Sequence, residues 1–164
     1  MNENTEAIAF ATLLPGAASV VGYGIFFTKG SAANVMWQTA RKPAWFPDND
    51  MVAMLLDAAT TVPMAYAAYK VYQLGGLHDD NTRLALTAYA ATFVGATVIG
   101  VPAMLSKNWS NMFWCSAAVN GTQMLTAYLF FKVERRFGLL CLPAVLWGHV
   151  AVMLMREMCQ LNDQ

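Results

Sequence analysis

Arg41-Lys42-Pro43-Ala44-Trp45-Phe46-Pro47, followed at once by an apolar run over 51–72, is the stretch that decides the fold. A basic pair beside a tryptophan belongs at the boundary between lipid and water. Each proline lacks an N–H and pushes its predecessor toward extended geometry, so the segment stays out of regular helix. The run that follows exceeds the roughly 20 residues needed to span hydrocarbon. A proline-braced loop leading into a membrane span is therefore expected.

Working outward, the chain shows further blocks of the same kind. Spans are predicted at about 7–27, 51–72, 83–105, 111–131 and 137–155, with a structured cap loop over 28–50. Links between the later blocks are short, which predicts an up-down five-helix bundle forming a single membrane domain over 1–164. Tyr66, Tyr69, Lys70 and Tyr72 close the second block as an aromatic belt with a snorkelling lysine. Within the cap loop, the segment around Trp37 predicts a short helix lying on the surface, its indole at headgroup depth.

Composition agrees. Hydrophobic residues make up 57% of the chain and charged residues 12%, against about 25% charged in a soluble domain. The expectation is an integral, multi-pass protein whose first partner is the lipid bilayer. Net charge is zero, which argues against nucleic acid as a partner. Basic residues fall on both sides of the spans, so the positive-inside bias is balanced. Cys115, Cys141 and Cys159 show no paired spacing and read as small apolar residues, not as a metal site or disulfide framework. The start, Met1-Asn2-Glu3-Asn4-Thr5-Glu6, is acidic and lacks the basic region of a signal peptide, so targeting information is expected to be internal.

Ionisable and amide side chains inside spans are functional candidates by default. Asp57 either polarises a ligand or pairs with a cation on another helix, such as Arg156; alternatively it bonds Thr60 and Thr61. His149 is either an axial ligand to a haem-type iron or a neutral, hydrogen-bonded core residue. Asn120 and Gln123 are expected to bond a neighbouring helix. Arg156 and Glu157 read as interfacial anchors. No triad, carboxylate pair, phosphate loop or metal motif can be assembled, so no catalytic or metal site is predicted and the chain is not expected to be an enzyme.

These residues together resemble the translocator protein family (TspO/MBR, once called the peripheral benzodiazepine receptor). The likeness rests on Lys42-Pro43-x-Trp45-x-Pro47, on Leu14-Pro15 and Val21-Gly22 in the first span, on Leu74-Gly75-Gly76, and on Pro143 before Trp147. It implies an all-α five-transmembrane-helix bundle, often dimeric, that binds porphyrin-type tetrapyrroles, cholesterol and aromatic drugs under the first loop. It also implies a mitochondrial membrane if the source is eukaryotic. Matching positions are Lys42, Pro43, Trp45 and Pro47 in the cap, and Trp147, Ala151 and Leu154 in the last span. With Asp57 from the residue reading, these are the predicted ligand-binding residues.

The chain departs from the family pattern in places. Asp48 replaces the second proline of the cap motif, and Leu56-Asp57 stands where the family has tryptophan and a small residue. Thr97-Val98-Ile99-Gly100-Val101-Pro102 lacks the family's paired tryptophans; Met155 and Arg156 replace an asparagine and the tyrosine of a sterol pattern. Each lost aromatic contact removes roughly 0.5 to 1.5 kcal/mol beyond simple burial. At about 1.4 kcal/mol per tenfold, two or three losses weaken a flat ligand by one to three decades. Two readings follow: a porphyrin- or sterol-binding membrane protein, or a ligand-free accessory subunit of a larger membrane complex such as a mitochondrial respiratory assembly.

Overall fold

In a computed structural model, residues 3–47 and 49–162 are described. The Asp48 departure and the first two residues of the acidic start lie outside them. Among the described residues seven helices follow in order: α1 (Glu3–Phe27), α2 (Ala32–Thr39), α3 (Asp50–Gly75), α4 (Asp80–Leu105), α5 (Trp109–Val133), α6 (Arg135–Leu140) and α7 (Leu142–Asn162). α1, α3 and α4 run straight through Pro15, Pro63 and Pro102, as helices within a bilayer tolerate. The predicted last span is instead divided at Cys141 into α6 and α7. Pro143 has no N–H to offer the carbonyl one turn back, and the Cys141 N–H bonds Gly138 at 3.1 Å in a tightened turn.

Side-chain caps set the helix starts. Asp79 accepts the N–H groups of Asn81 and Thr82, both at 3.0 Å, and opens α4. Asn108 accepts from Ser110 at 2.9 Å and opens α5. The α3–α4 turn is compact because Gly76 takes φ +55° and ψ −135°, a region essentially reserved for glycine. Its carbonyl accepts from the buried Thr82 hydroxyl at 2.8 Å. Gly76→Ala is expected to cost about 1–3 kcal/mol, read as a lowered melting temperature in mild detergent.

The long helices close into a ring. α1 packs on α3 and α4, α5 on α4 and α7, and α3 meets α6 and α7. α4, α1, α3 and the combined α6–α7 stretch are each long and apolar enough to cross a membrane. α5 has equal length but carries Asn111, Ser116, Asn120, Thr122, Gln123 and Thr126, which lower its hydropathy. It stands in the same ring, and Asn120 and Thr126 turn inward and are buried, while Asn111 is exposed. The Asn120 amide donates to the Val145 carbonyl of α7 at 3.0 Å. Thr126 and Thr92 of α4 meet at 3.3 Å.

Two packed cores occupy the two ends of the ring. The one away from the cap gathers Met64, Val71, Leu86, Tyr89, Phe130 and Cys141. There the Tyr89 hydroxyl donates to the Ala11 carbonyl at 2.6 Å. The other lies under the cap and gathers Trp37, Phe46, Trp109, Met112, Leu154 and Met158. The space between these cores is not filled.

Candidate ligand-binding cavity

The cap is assembled around one carboxylate. Asp50, the first residue of α3, accepts from the Trp37 indole at 2.8 Å, from the Lys42 ammonium at 3.0 Å and from Gln38 at 3.3 Å. Lys42 also lies 4.6 Å above the Trp37 ring. A cation over a π face and a carboxylate beside both hold α2, the Lys42-Pro43 corner and the start of α3 as one unit. The Trp37 side chain is therefore buried within the protein instead of facing the headgroups as its sequence context predicts. It is only 5% exposed and meets Phe26, Phe46 and Trp109 edge-on or tilted. An interfacial and a buried tryptophan look alike in sequence; the Asp50 acceptor and the aromatic neighbours turn this one inward.

A second set of fastenings ties the cap to the end of α7. The Trp45 indole donates to Glu157 at 2.8 Å. Asn162 accepts from the Arg41 N–H at 2.9 Å and donates to the Arg41 carbonyl at 3.1 Å. Glu157, read from sequence as an anchor, is thus also a cap contact.

Beneath the cap lies a cavity of about 360 Å³, within the size range of small-molecule sites. Its wall is mainly aromatic, aliphatic and methionine. Tyr23, Phe26, Phe93 and Trp147 supply ring faces, and Met54, Met104 and Met155 supply flexible filler. Gln123, Thr97 and Ser116 add polar points. The site keeps aromatic walls despite the substitutions noted above. Leu56 is 42% exposed on the outer face of α3, so its side chain takes nothing from the cavity. Thr97 and Val101 do stand in the wall and thin it on the α4 side.

Asp57 reaches this cavity from α3. It accepts from the Tyr23 hydroxyl of α1 at 2.8 Å, and Trp147 of α7 lines the same cavity. Among the described residues no ion pair reaches it. Arg156, the cation expected from sequence, is exposed on the outer face of α7. Nor does the carboxylate take the threonine alternative: Thr60 spends its hydroxyl on the carbonyls of Leu56 and Asp57, at 2.8 and 3.1 Å. His149 is neither a core residue nor part of the wall, being exposed on α7.

Of the predicted ligand-binding residues, Asp57, Trp147, Ala151 and Leu154 line the cavity. Lys42, Pro43, Trp45 and Pro47 do not; Lys42 and Trp45 hold the cap, Pro43 is buried within it and Pro47 is exposed. Sequence reasoning missed Tyr23, Trp37 and Asp50. The only signal for Asp50 was an acid at a helix start, a position that ordinarily serves the helix dipole.

The TspO/MBR family model matches the sequence over residues 11–161. No curated protein matches it.

Proposed function

The chain belongs to the TspO/MBR family, and from that membership we propose that it binds a hydrophobic ligand of the tetrapyrrole or sterol class between its helices. It is an integral, multi-pass membrane protein. The observation that carries the proposal is the capped cavity, an unfilled and largely apolar space between two packed cores. A bundle serving only as scaffolding has no need to leave its centre open, because unfilled volume costs packing energy. Membership also favours a binding role over catalysis. A mitochondrial membrane, if the source is eukaryotic, and assembly as a homodimer belong to the same proposal through the family resemblance; a larger membrane complex belongs to the alternative reading as an accessory subunit.

The test is titration of protoporphyrin and cholesterol into the protein in lipid nanodiscs. Saturable binding of at least one is expected. Trp147→Ala is expected to weaken it by about tenfold or more, since ring contact and burial are lost together. Trp45→Ala, outside the wall, is expected to speed ligand release more than it alters the contacts made. Absence of saturable binding for both ligands, with the protein purifying only inside a much larger particle, would establish the accessory-subunit reading in its place.

A further inference from the structure

We infer that the cavity selects a hydrophobic organic cation, a protonated amine carried on a flat or fused-ring body, seated against Asp57. The inference rests on the reading that the cavity is a ligand site and specifies the ligand's charge. It starts from the charge inventory of the wall. Among the described residues, two acids, Asp50 and Asp57, line the cavity, and no lysine, arginine or histidine does. Asp50 is already neutralised by Lys42 at 3.0 Å. Asp57 is not: its hydrogen-bond donor, Tyr23, is a neutral group.

Tyr23 aims the carboxyl group and brings no counter-charge. A carboxylate paired with an ammonium has about four lone-pair sites, so the single Tyr23 donor leaves room for an N⁺–H. The neighbours suit a cation further. Tyr23, Trp147 and Phe93 stand in the same wall, and ring faces attract ammonium groups most strongly where water is excluded. The remaining wall is apolar and accepts a hydrophobic body. A ligand carrying free carboxylates meets the opposite situation, a like charge and no base to pair with. Uncharged sterols fit but leave Asp57 without a counter-charge. The amine completes the site; the others do not.

The test uses one ring system in three charge states, added to the protein in phosphatidylcholine nanodiscs: cholesterol, its 3β-amino analogue and cholesteryl hemisuccinate. The amine is expected to bind about tenfold more tightly than cholesterol, with the hemisuccinate weakest. Asp57→Asn is expected to bring the amine-to-cholesterol ratio close to one. Equal affinities, or a preference for the hemisuccinate, overturn the inference while leaving the cavity reading intact. An undiminished ratio in Asp57→Asn overturns it as well. If none of the three binds, this inference falls, and the protoporphyrin titration decides the cavity reading separately. Should the variant misfold, the wild-type ranking decides the matter by itself.

Discussion

Replacing Gly138 with alanine is expected to destabilise the protein more than any other single-methyl change. Gly138 is buried in α6, where that short helix lies against the backbone of α5. A Cβ placed there would meet the Phe131 Cα at 2.7 Å and the Ala127 carbonyl oxygen at 2.8 Å, and would also crowd the Phe131 Cβ. These are main-chain atoms of a hydrogen-bonded helix, which cannot swing aside as a side-chain tip can. Relief requires α6 to move off α5, and α6 also packs on α3. Overpacking of this kind costs about 1–3 kcal/mol, and the backbone contacts put Gly138 at the upper end. Gly148→Ala is the comparison. There the crowding atoms are the amide ends of Asn120 and Gln123, which can rotate at the expense of the Asn120–Val145 bond. Thermal unfolding of both variants in the same mild detergent is expected to place Gly138→Ala clearly below Gly148→Ala, and both below wild type. Equal melting temperatures for Gly138→Ala and wild type would contradict the close α5–α6 approach.

The second large effect is expected at Asp50. Asp50→Ala strips the acceptor from Trp37, Lys42 and Gln38 together. The Lys42 and Asp50 side chains are 16% and 20% exposed, too sheltered for water to replace the lost partner fully. Hydrogen bonds to charged groups are worth about 1.5–3 kcal/mol, and partial exposure keeps the sum from growing much beyond one such bond. The loss is expected to fall on the cap, because the core at the far end of the ring contains none of these residues. Amide hydrogen exchange across 31–47 is expected to quicken by about 50-fold, the equivalent of roughly 2–3 kcal/mol. Exchange in α4 around Leu86 and Tyr89 is expected to stay nearly unchanged. Uniform acceleration along the chain would mean that Asp50 supports the whole bundle and not the cap.

The architecture was legible because its signals are local. Apolar blocks of spanning length, the prolines at 43 and 47 and the glycines at 75 and 76 can each be read within one window of sequence. Asp57 stood out for the same reason, as a charge within an apolar run. What could not be read were the partners. Tyr23 meets Asp57 across 34 positions and Trp45 meets Glu157 across 112, and nothing local ties either pair together. Asp50 was disguised by its place at a helix start. Trp37 was disguised by resembling an interfacial anchor. Leu56 and Asp57 show how register decides a site: one residue apart, one faces outward and the other faces the cavity.

The inward-turned polar face of α5 bears on how the chain is threaded during synthesis. Judged alone, α5 is the segment least able to remain in lipid. It follows α4 after a turn at Ser106, Lys107 and Asn108, where Lys107 takes φ +53°. The Thr122 and Thr126 hydroxyls already bond carbonyls of α5 itself, but the Asn120 amide meets the Val145 carbonyl only once α7 is beside it. Entry of α5 as an α4–α5 hairpin, completed by α7, avoids leaving the Asn120 amide bare in hydrocarbon. Counting α5 makes the number of crossings odd. The start of α1, where Asn4 meets Gln73, and the end of α7, where Asn162 clasps Arg41, then face different compartments, and the cap opens to the one that holds the C-terminus.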